Sequence, residues 1–343
     1  MLNVFNKLFK PTAVRQQGIT HSELDDSLLP WLDRKVFDID AYVEPLGLDA
    51  DAAEELTAQL HSWTNYGFAV IPQAIAGELI DALTKDIEEF LTRYQEFHTT
   101  VDSPVYRNKK INEVNPDDID QHKSGQGNIH LRILDFIHNS VAAKQISLNP
   151  NITRFLEHVL SDRVVAFQSL NFFKGSEQPI HQDFAYVNTS PREKLVASWV
   201  ALEDISPDAG PLEYIPGSHR LPRFDWGPGP FKVEGVQHNE LQFRDHILAE
   251  AKKAGLSVAT VCPKRGDAFI WHATLAHGGS PIKNPQLTRK SYVTHYGPAT
   301  THLSHVHSAG KPAERLEYAG GFAFVHPLYP AEENTLRNAE LLG

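Results

Sequence analysis

The 343-residue sequence has one cysteine and one methionine, and none of its apolar runs is long enough to cross a membrane as a helix. The single cysteine, Cys262, excludes an intrachain disulfide. A reducing compartment is therefore expected, and we predict a cytoplasmic protein. Because thiolate ligands are almost absent, a metal site in this chain would have to use histidine and carboxylate ligands.

Positive charge is scarce as well. Lysine and arginine total 32 residues against 43 aspartates and glutamates, and the formal net charge is −11. A broad basic surface that neutralises a phosphate backbone is therefore not expected, and we predict no nucleic-acid partner. Hydrophobic residues make up 41% of the chain, which is enough to bury a full core.

Residues 1–48 form a predicted N-terminal extension that is mostly polar. At its start, residues 1–10 place apolar side chains among Lys7 and Lys10 in a short amphipathic pattern. The apolar core and the small-residue cleavage site of a signal peptide are missing. We expect this arm to dock on its own domain. Contact with a membrane surface, or with a second subunit in a homo-oligomer, is the alternative.

The helical spacing of apolar residues predicts helices over 51–63 and 77–94, and an apolar run predicts a strand over 68–71 between them. The two helices are expected to buttress a sheet. Residues 99–130, in contrast, are polar and show no apolar period, which predicts a long irregular loop. Long loops in compact domains often cover active sites, so this segment is a candidate lid.

Strand patterns dominate the second half of the chain, with helical patterns confined mostly to 151–160 and 240–254. The predicted strands are 164–173, 195–202, 258–261, 268–271 and 291–296. Short strands separated by glycine and proline predict a mainly β barrel or jelly roll with flanking helices. Because no repeat or linker divides the chain, residues 49–343 are predicted to form a single domain with a C-terminal tail from about 301.

The strongest chemical signal is the sequence His181-Gln182-Asp183, which follows a strand-like run. In an extended chain, residues two apart point to the same face, so His181 and Asp183 can reach one metal ion. A site of two histidines and one carboxylate leaves three positions open for a cosubstrate and dioxygen. His277 is the best second histidine, because the glycines that follow it would let ligands approach closely.

A histidine and an aspartate two apart carry little weight alone in a chain with 18 histidines. The downstream pattern strengthens the signal, because Arg289 and Ser291 open another predicted strand and share one face. A planar guanidinium is suited to hold a carboxylate through two hydrogen bonds, and a serine hydroxyl can add another.

From about residue 60 to 300, the sequence resembles the phytanoyl-CoA dioxygenase family of Fe(II)/2-oxoglutarate oxygenases. The blocks that carry the resemblance, in order, are Gly67–Pro72, His181–Asp183, Trp199–Asp204, Gly210–Arg220, and His277 with Arg289. The resemblance implies a double-stranded β-helix, the jelly-roll or cupin-like barrel, preceded by helices. It also implies that His181, Asp183 and His277 bind Fe(II), while Arg289 binds the distal carboxylate of the 2-oxoglutarate cosubstrate.

Four further side chains are candidates for the surroundings of the cosubstrate: Ser291, Gln182, Trp199 and Asn171. For two of these residues, a purely structural role is the alternative. Trp199 could fill the barrel, and Gln182 could face away from the metal because side chains alternate along a strand.

Structural or solvent-exposed roles are expected for four other histidines, His272, His302, His305 and His307. His272 is expected on the opposite face of its strand from His277, as a packing residue or as a hydrogen-bond donor behind the metal. His305 and His307 have strand spacing and could bind a metal. Their surroundings, which include His302, lack a suitably placed carboxylate, so we expect solvated or pocket-rim histidines there.

The implied reaction uses O2 and 2-oxoglutarate to hydroxylate an unactivated C–H bond of a small-molecule substrate, with release of succinate and CO2. Desaturation, ring formation and epoxidation stay open, whereas Asp183 argues against the halogenases of this class, in which a small residue replaces the carboxylate. One alternative is a barrel that binds a metal or a metabolite without turnover. Another is an oxygenase for carrier-bound or protein-bound groups, in which Arg107, Lys109 and Lys110 could contact a phosphate.

Overall fold

The structure is a computed structural model that describes residues 29–34, 36–125, 129–227, 229–232, 240–304, 311–318 and 320–325. The predicted amphipathic arm at residues 1–10 lies outside the described residues, as do His305 and His307. Among the helices of the described part, none has the length and apolar character needed to cross a membrane.

Seven α-helices are present in the described part of the chain. They are α1 (Ile39–Val43), α2 (Ala50–Tyr66), α3 (Gly77–Thr92), α4 (Pro116–Ser124), α5 (Val141–Ser147), α6 (Pro150–Leu160) and α7 (Glu240–Lys253). Local chemistry fixes the ends of α2, since the Asp49 side chain accepts a hydrogen bond from Ala52 N and Gly67 ends the helix at φ +81°. The predicted helices at 51–63, 77–94, 151–160 and 240–254 are confirmed with small shifts of their ends.

Thirteen strands are described. They are β1 (Phe68–Ile71), β2 (Thr100–Asp102), β3 (Lys109–Lys110), β4 (Arg132–Leu134), β5 (Val164–Phe172), β6 (Val196–Ala201), β7 (Leu212–Tyr214), β8 (Ala259–Val261), β9 (Ala268–His272), β10 (His277–Gly279), β11 (Ser291–Pro298), β12 (Arg315–Tyr318) and β13 (Gly321–Phe324). The large sheet has the order β1-β9-β6-β11-β5-β4-β2-β3, and β13 pairs with both β12 and β5. A small sheet has the order β10-β7-β8.

The two sheets enclose an apolar barrel interior. Tyr214 of the small sheet packs against Phe68 and Phe269 of the large sheet, with ring centroids 5.0 Å apart in both pairs. Trp199 and Trp271 belong to the same buried cluster. The predicted fold, a mainly β double-stranded β-helix with flanking helices, is therefore confirmed.

Strand β11 is buried along its whole length and separates two cores. Tyr292 and Tyr296 face a core shared with the helices, while Val293 faces the barrel interior. This alternation follows from the pleat, which points successive side chains to opposite faces. A strand that is buried on both faces therefore connects the helical layer to the inside of the barrel.

Residues 99–125, the main described part of the range 99–130, are not the irregular loop that their composition predicted. They contain β2, β3 and α4, and Val101 and Ile111 are fully buried. The strands were missed because two or three residues are too short to show alternation. Helix α4 was missed because it is mostly polar, although Asn115 caps it and Pro116 occupies its first turn. The role of this segment as a lid stays a prediction.

Both ends of the described chain pack on the barrel domain. Leu32, Ile39 and Val43 lie in the core beneath the helices, so the packed core begins within the predicted extension. At the other end, β13 adds to the large sheet in parallel with β5, and Phe324 is buried. The described part of the predicted tail thus contributes to the barrel instead of extending away from it.

Gly67 offers a test of the junction between α2 and β1. A Cβ at Gly67 would lie 2.7 Å from Cγ and Nδ1 of His219, and φ is +81°. We expect Gly67→Ala to lower the free energy of unfolding by about 3 kcal/mol, because left-handed strain and steric overlap add together. The measurement is chemical denaturation monitored by circular dichroism.

Gly47→Ala is the matched control, because Gly47 has φ +64° but no neighbouring atom would lie within 4 Å of the added Cβ. Gly47→Ala should lower the free energy of unfolding by the backbone-strain component alone, roughly 1 kcal/mol. Equal losses of unfolding free energy in the two variants would show that steric overlap with His219 does not destabilise Gly67→Ala.

Candidate metal centre

The two histidines of the predicted triad are joined through their backbones. His181 N donates to His277 O and His277 N donates to His181 O, both at 2.9 Å. Strand β10 holds His277 opposite Tyr214 of β7, while His181 lies in the extended segment that follows β5. The reciprocal bridge places the two imidazole ring centroids 4.5 Å apart.

Asp183 completes the group two residues after His181. Its Oδ1 atom lies 3.6 Å from His181 Nε2 and 3.7 Å from His277 Nε2. One ligand atom from each of the three residues falls within 4.8 Å of the others. The three side chains that the sequence pattern selected are therefore together at the pocket, with the carboxylate and both imidazoles facing one point.

Backbone carbonyls orient both imidazoles. His181 Nδ1 lies 2.9 Å from Pro179 O, and His277 Nδ1 lies 3.0 Å from Leu275 O. Because a carbonyl can only accept, Nδ1 of each ring must donate, which leaves Nε2 as the atom that carries the lone pair for a metal. In the structure, Gln178 Nε2 lies 3.3 Å from His181 Nε2 and donates to it. Burial lowers the pKa of His277 to about 4, so this ring is neutral at neutral pH. The donor set therefore fits a divalent transition metal.

The charge of Asp183 is maintained inside the barrel. Burial acts to raise the pKa of this carboxyl, but His277, His181 and His295 together hold the pKa well below its usual range. Oδ2, the oxygen that faces away from the triad, accepts a hydrogen bond from Trp271 Nε1 at 2.8 Å and lies 3.3 Å from His295 Nε2. Oδ1 of Asp183 thus lies beside the two imidazoles of the triad, while Oδ2 lies beside Trp271 and His295.

Arg289 lies in the same pocket with its side chain buried and no carboxylate beside it in the described part of the chain. Its Nε has no hydrogen-bond partner there, and Nη2 reaches only Lys174 O, at 3.5 Å. Burial lowers the pKa of Arg289 to about 10, which still leaves it charged at neutral pH. An unpaired buried cation is costly, so the position suits an anionic ligand.

Two uncharged hydrogen-bond donors in this region also lack a partner in the described part of the chain. Trp199 Nε1 and Ser291 Oγ are buried and have no hydrogen-bond partner among the described residues. Trp199 lines the pocket, and the Arg289 guanidinium lies 5.7 Å from its ring centroid. Ser291 occupies β11 two residues after Arg289, on the same face.

The structure places the other two predicted cosubstrate contacts elsewhere. The Gln182 amide is buried and donates to Thr274 O at 2.5 Å, because its side chain alternates with those of its neighbours. Asn171 lies on the face of β5 opposite Leu170 and Phe172, which line the pocket. Its amide donates to Ser291 O at 3.5 Å. Both side chains therefore support the strands around the pocket instead of lining it.

His272 and His302 are buried and lie away from the triad. His272 Nε2 lies 2.8 Å from Asp33 Oδ2, and its Nδ1 accepts from Thr274 N at 3.0 Å. Because Thr274 O accepts the Gln182 amide, this network connects the N-terminal segment to the loop before His277 and to the residue between His181 and Asp183. His302 Nδ1 instead accepts from Ser190 N at 3.2 Å.

Sequence reasoning missed Trp271 and His295. Both contact the outer oxygen of Asp183, yet neither belongs to a motif that the sequence pattern singled out. A signal existed for His295, since it continues the inward alternation that runs from Arg289 through Ser291 and Val293. Nothing local marks Trp271, because its contact crosses 88 positions of sequence.

A double-stranded β-helix that gathers two histidines and one aspartate beside a buried arginine has the architecture and site of the non-haem Fe(II)/2-oxoglutarate dioxygenases. The sequence model of the phytanoyl-CoA dioxygenase (PhyH) family matches residues 63–291, and the chain belongs to this family.

Individual relatives agree with this assignment. Human peroxisomal phytanoyl-CoA dioxygenase is 27% identical over 199 residues, which cover 54% of each chain. Phytanoyl-CoA dioxygenase domain-containing protein 1 of Danio rerio is 26% identical over 165 residues, covering 44% of this chain and 51% of the relative. The matches thus span about half the length of these curated relatives.

Solved structures share the fold. The epimerase SnoN of nogalamycin biosynthesis aligns with a TM-score of 0.53 at 17% identity, over 79% of this chain and 98% of SnoN. EctD from S. alaskensis aligns with a TM-score of 0.51 at 18% identity, over 77% and 82% of the two chains. SnoN has also been solved with Fe3+ and alpha ketoglutarate, and EctD with 2-oxoglutarate.

Gly278 tests how closely the histidine bridge must pack. A Cβ there would lie 2.7 Å from Gln178 O and 3.1 Å from Ile180 N, which are backbone atoms of the segment that leads to His181. We expect Gly278→Ala to weaken Co(II) binding about tenfold, as a displaced supporting contact does, because His181 would be pushed away from His277. Isothermal titration calorimetry measures the change.

The control for this variant is Gly77→Ala, since no atom lies within 4 Å of the added Cβ at that position. Its affinity for Co(II) should equal that of the wild type. An unchanged Co(II) affinity in Gly278→Ala would show that metal binding does not require the close packing of the His181 segment on Gly278.

Proposed function

We propose that the protein is an Fe(II)- and 2-oxoglutarate-dependent dioxygenase that hydroxylates an unactivated C–H bond of a small-molecule substrate, releasing succinate and CO2. One observation carries the proposal. The pocket that holds His181, Asp183 and His277 also holds the buried Arg289, which has no carboxylate partner in the described part of the chain. A metal site and an anion site within one pocket match a cosubstrate with a metal-chelating end and a carboxylate end.

The side chains have distinct roles in this proposal. His181, Asp183 and His277 would hold the iron from one side and leave three coordination positions open. Arg289 would bind the distal carboxylate of 2-oxoglutarate, with Ser291 Oγ and Trp199 Nε1 as further donors. When bound, the iron supplies the oxidising chemistry that couples O2 and 2-oxoglutarate to oxidation of the substrate.

The pocket wall supports the same assignment. Leu170, Phe172 and Val293 line it together with Trp199, so the arginine lies against apolar surface. Its guanidinium lies 5.4 Å from the Phe172 ring centroid. A hydrogen bond from a charged donor is stronger in such surroundings than in water, because the local dielectric is low. These surroundings would orient a dicarboxylate with one end at Arg289.

The primary substrate of this protein does not follow from the molecules that similar structures bind. SnoN has been solved with nogalamycin RO and EctD with 5-hydroxyectoine, so one fold accommodates different molecules. We propose a free small molecule as the primary substrate. Lys110 Nζ, from the predicted lid, donates to Thr100 Oγ1 at 3.3 Å instead of projecting freely.

Removal of one ligand should remove the metal. We expect His181→Ala and Asp183→Ala each to weaken Co(II) binding at least about 100-fold and to abolish iron-dependent succinate formation, because two ligands cannot hold the ion against water. Calorimetry and a succinate assay with Fe(II), ascorbate and 2-oxoglutarate measure the two effects. His246→Ala, a histidine on α7 whose ring bonds Pro222 O, is the control. Retained binding in either ligand variant would refute the metal assignment.

Arg289→Ala should weaken 2-oxoglutarate binding to the Co(II)-loaded protein by about 10- to 100-fold, because a charge-assisted hydrogen bond contributes roughly 1.5–3 kcal/mol. Lys290→Ala is the control, since its Nζ lies 5.3 Å from the Phe173 ring centroid and Lys290 does not line the pocket. The measurement is anaerobic titration with 2-oxoglutarate. If Lys290→Ala lost affinity and Arg289→Ala did not, the carboxylate site would belong to Lys290.

A further inference from the structure

The outer oxygen of Asp183 has two potential donors on two different strands. Trp271 Nε1, from β9, lies 2.8 Å from Oδ2, and His295 Nε2, from β11, lies 3.3 Å from the same atom. An indole N–H can only donate, and an ionised carboxylate can only accept. The bond from Trp271 is therefore fixed in direction, and His295 adds a second bond when its Nε2 carries the proton.

We infer that His295 is a positioning residue of the metal centre, whose Nε2–H donates to Asp183 Oδ2 and, with Trp271, restricts the carboxylate to binding a metal through Oδ1 alone. The inference rests on the proposed function, because it takes the three-residue group as an iron site. It goes beyond that function by assigning a role to a residue that does not bind the metal.

The surroundings of His295 are built for this contact. The ring is 2% exposed, and Asp183 is its only side-chain hydrogen-bond partner among the described residues. A change of register between β11 and β5 falls between His295 and Tyr296, opposite Gln168 and Ala166. The extra residue of this bulge belongs to β5, and such bulges commonly re-aim a side chain beside an active site. Phe167, the residue skipped in the register, packs with its ring centroid 6.4 Å from the His295 ring centroid.

The two donors are held by a rigid frame. Strands β9 and β11 both pair with β6, which lies between them in the large sheet. Trp271 pairs with Ala197 across β6, and His295 pairs with the same residue from the other side. The two side chains thus start at the same level of the barrel and converge on one oxygen. A carboxylate with one oxygen held in this way cannot rotate to present both oxygens to the ion.

When Nε2 of His295 carries the proton of the hydrogen bond to Asp183, Nδ1 is the other ring nitrogen to account for. Nδ1 is buried and has no hydrogen-bond partner among the described residues, so no other described group competes to turn the ring. His302 provides a contrast. Its ring packs on the same Phe167, at 4.5 Å between ring centroids, but its Nδ1 is engaged by Ser190 N.

The experiment compares Co(II) binding by full-length wild-type protein and four variants, using calorimetry and the visible spectrum of the bound ion. His295→Phe removes the donor and keeps a planar ring, whereas His295→Gln restores an N–H donor at a similar distance from the backbone. Trp271→Phe removes the other donor. His302→Phe is the matched control, since it also removes a buried histidine that contacts Phe167.

We expect His295→Phe and Trp271→Phe each to weaken Co(II) binding by about 10- to 100-fold, as loss of a group that orients a metal ligand does. Their spectra should shift because the carboxylate is free to change its binding mode. His295→Gln should recover affinity to within about threefold of wild type, and His302→Phe should keep it. This recovery distinguishes a donated hydrogen bond from simple packing.

Wild-type affinity in His295→Phe, or equal weakness in His295→Gln and His295→Phe, would overturn the inference while the metal site itself stood. Failure of the wild type to bind Co(II) would instead overturn the proposed function and the inference together. Circular dichroism of each variant separates loss of the site from loss of the fold.

Discussion

The reciprocal hydrogen bonds between the backbones of His181 and His277 are the constraint on which the site depends. They join the segment after β5 to β10 at 2.9 Å in both directions, and they place two imidazoles from distant parts of the chain side by side. Gly278 and Gly279 allow this close approach, because an added Cβ at either would meet backbone atoms at 2.7 Å. Asp183 follows His181 by two residues and therefore reaches the same point.

Asp183 and Arg289, two charged side chains of opposite sign, line separate parts of the pocket. Among the described residues, Asp183 is the one carboxylate that lines the pocket, and three neighbouring histidines hold its pKa well below the usual range. Arg289 supplies positive charge at another part of the wall, with aromatic rings in place of a carboxylate partner. The negative charge of Asp183 suits a metal cation, and the positive charge of Arg289 suits an anionic group of a ligand.

The support of the site extends far from the ligands. Asp33, in the N-terminal segment, pairs with His272, which orients Thr274 in the loop before His277. The same loop accepts the amide of Gln182. Residues that the sequence had assigned to an extension outside the domain thus help to fix the loop that presents a metal ligand. Burial of this network gives its hydrogen bonds more weight than they would have at the surface.

Sequence alone determined the elements and groups whose physical basis is local. Apolar periodicity located α2, α3, α6 and α7 and the longer strands. The residue types at His181, Asp183, His277 and Arg289, together with the family resemblance, predicted a metal site and an anion site. Local pattern failed for β2, β3, β7 and β10, because strands of two or three residues show no period.

Only the tertiary structure decided which further side chains surround the site. The bonds of Asp183 to Trp271 and to His295 cross 88 and 112 positions, and the bond between His272 and Asp33 crosses 239. Asn171 and Gln182 lie near the site in sequence but turn away from it, because strand alternation directs them to the opposite face. Residue types and spacing define which chemistry is available, whereas contacts across the barrel determine which side chains take part in it.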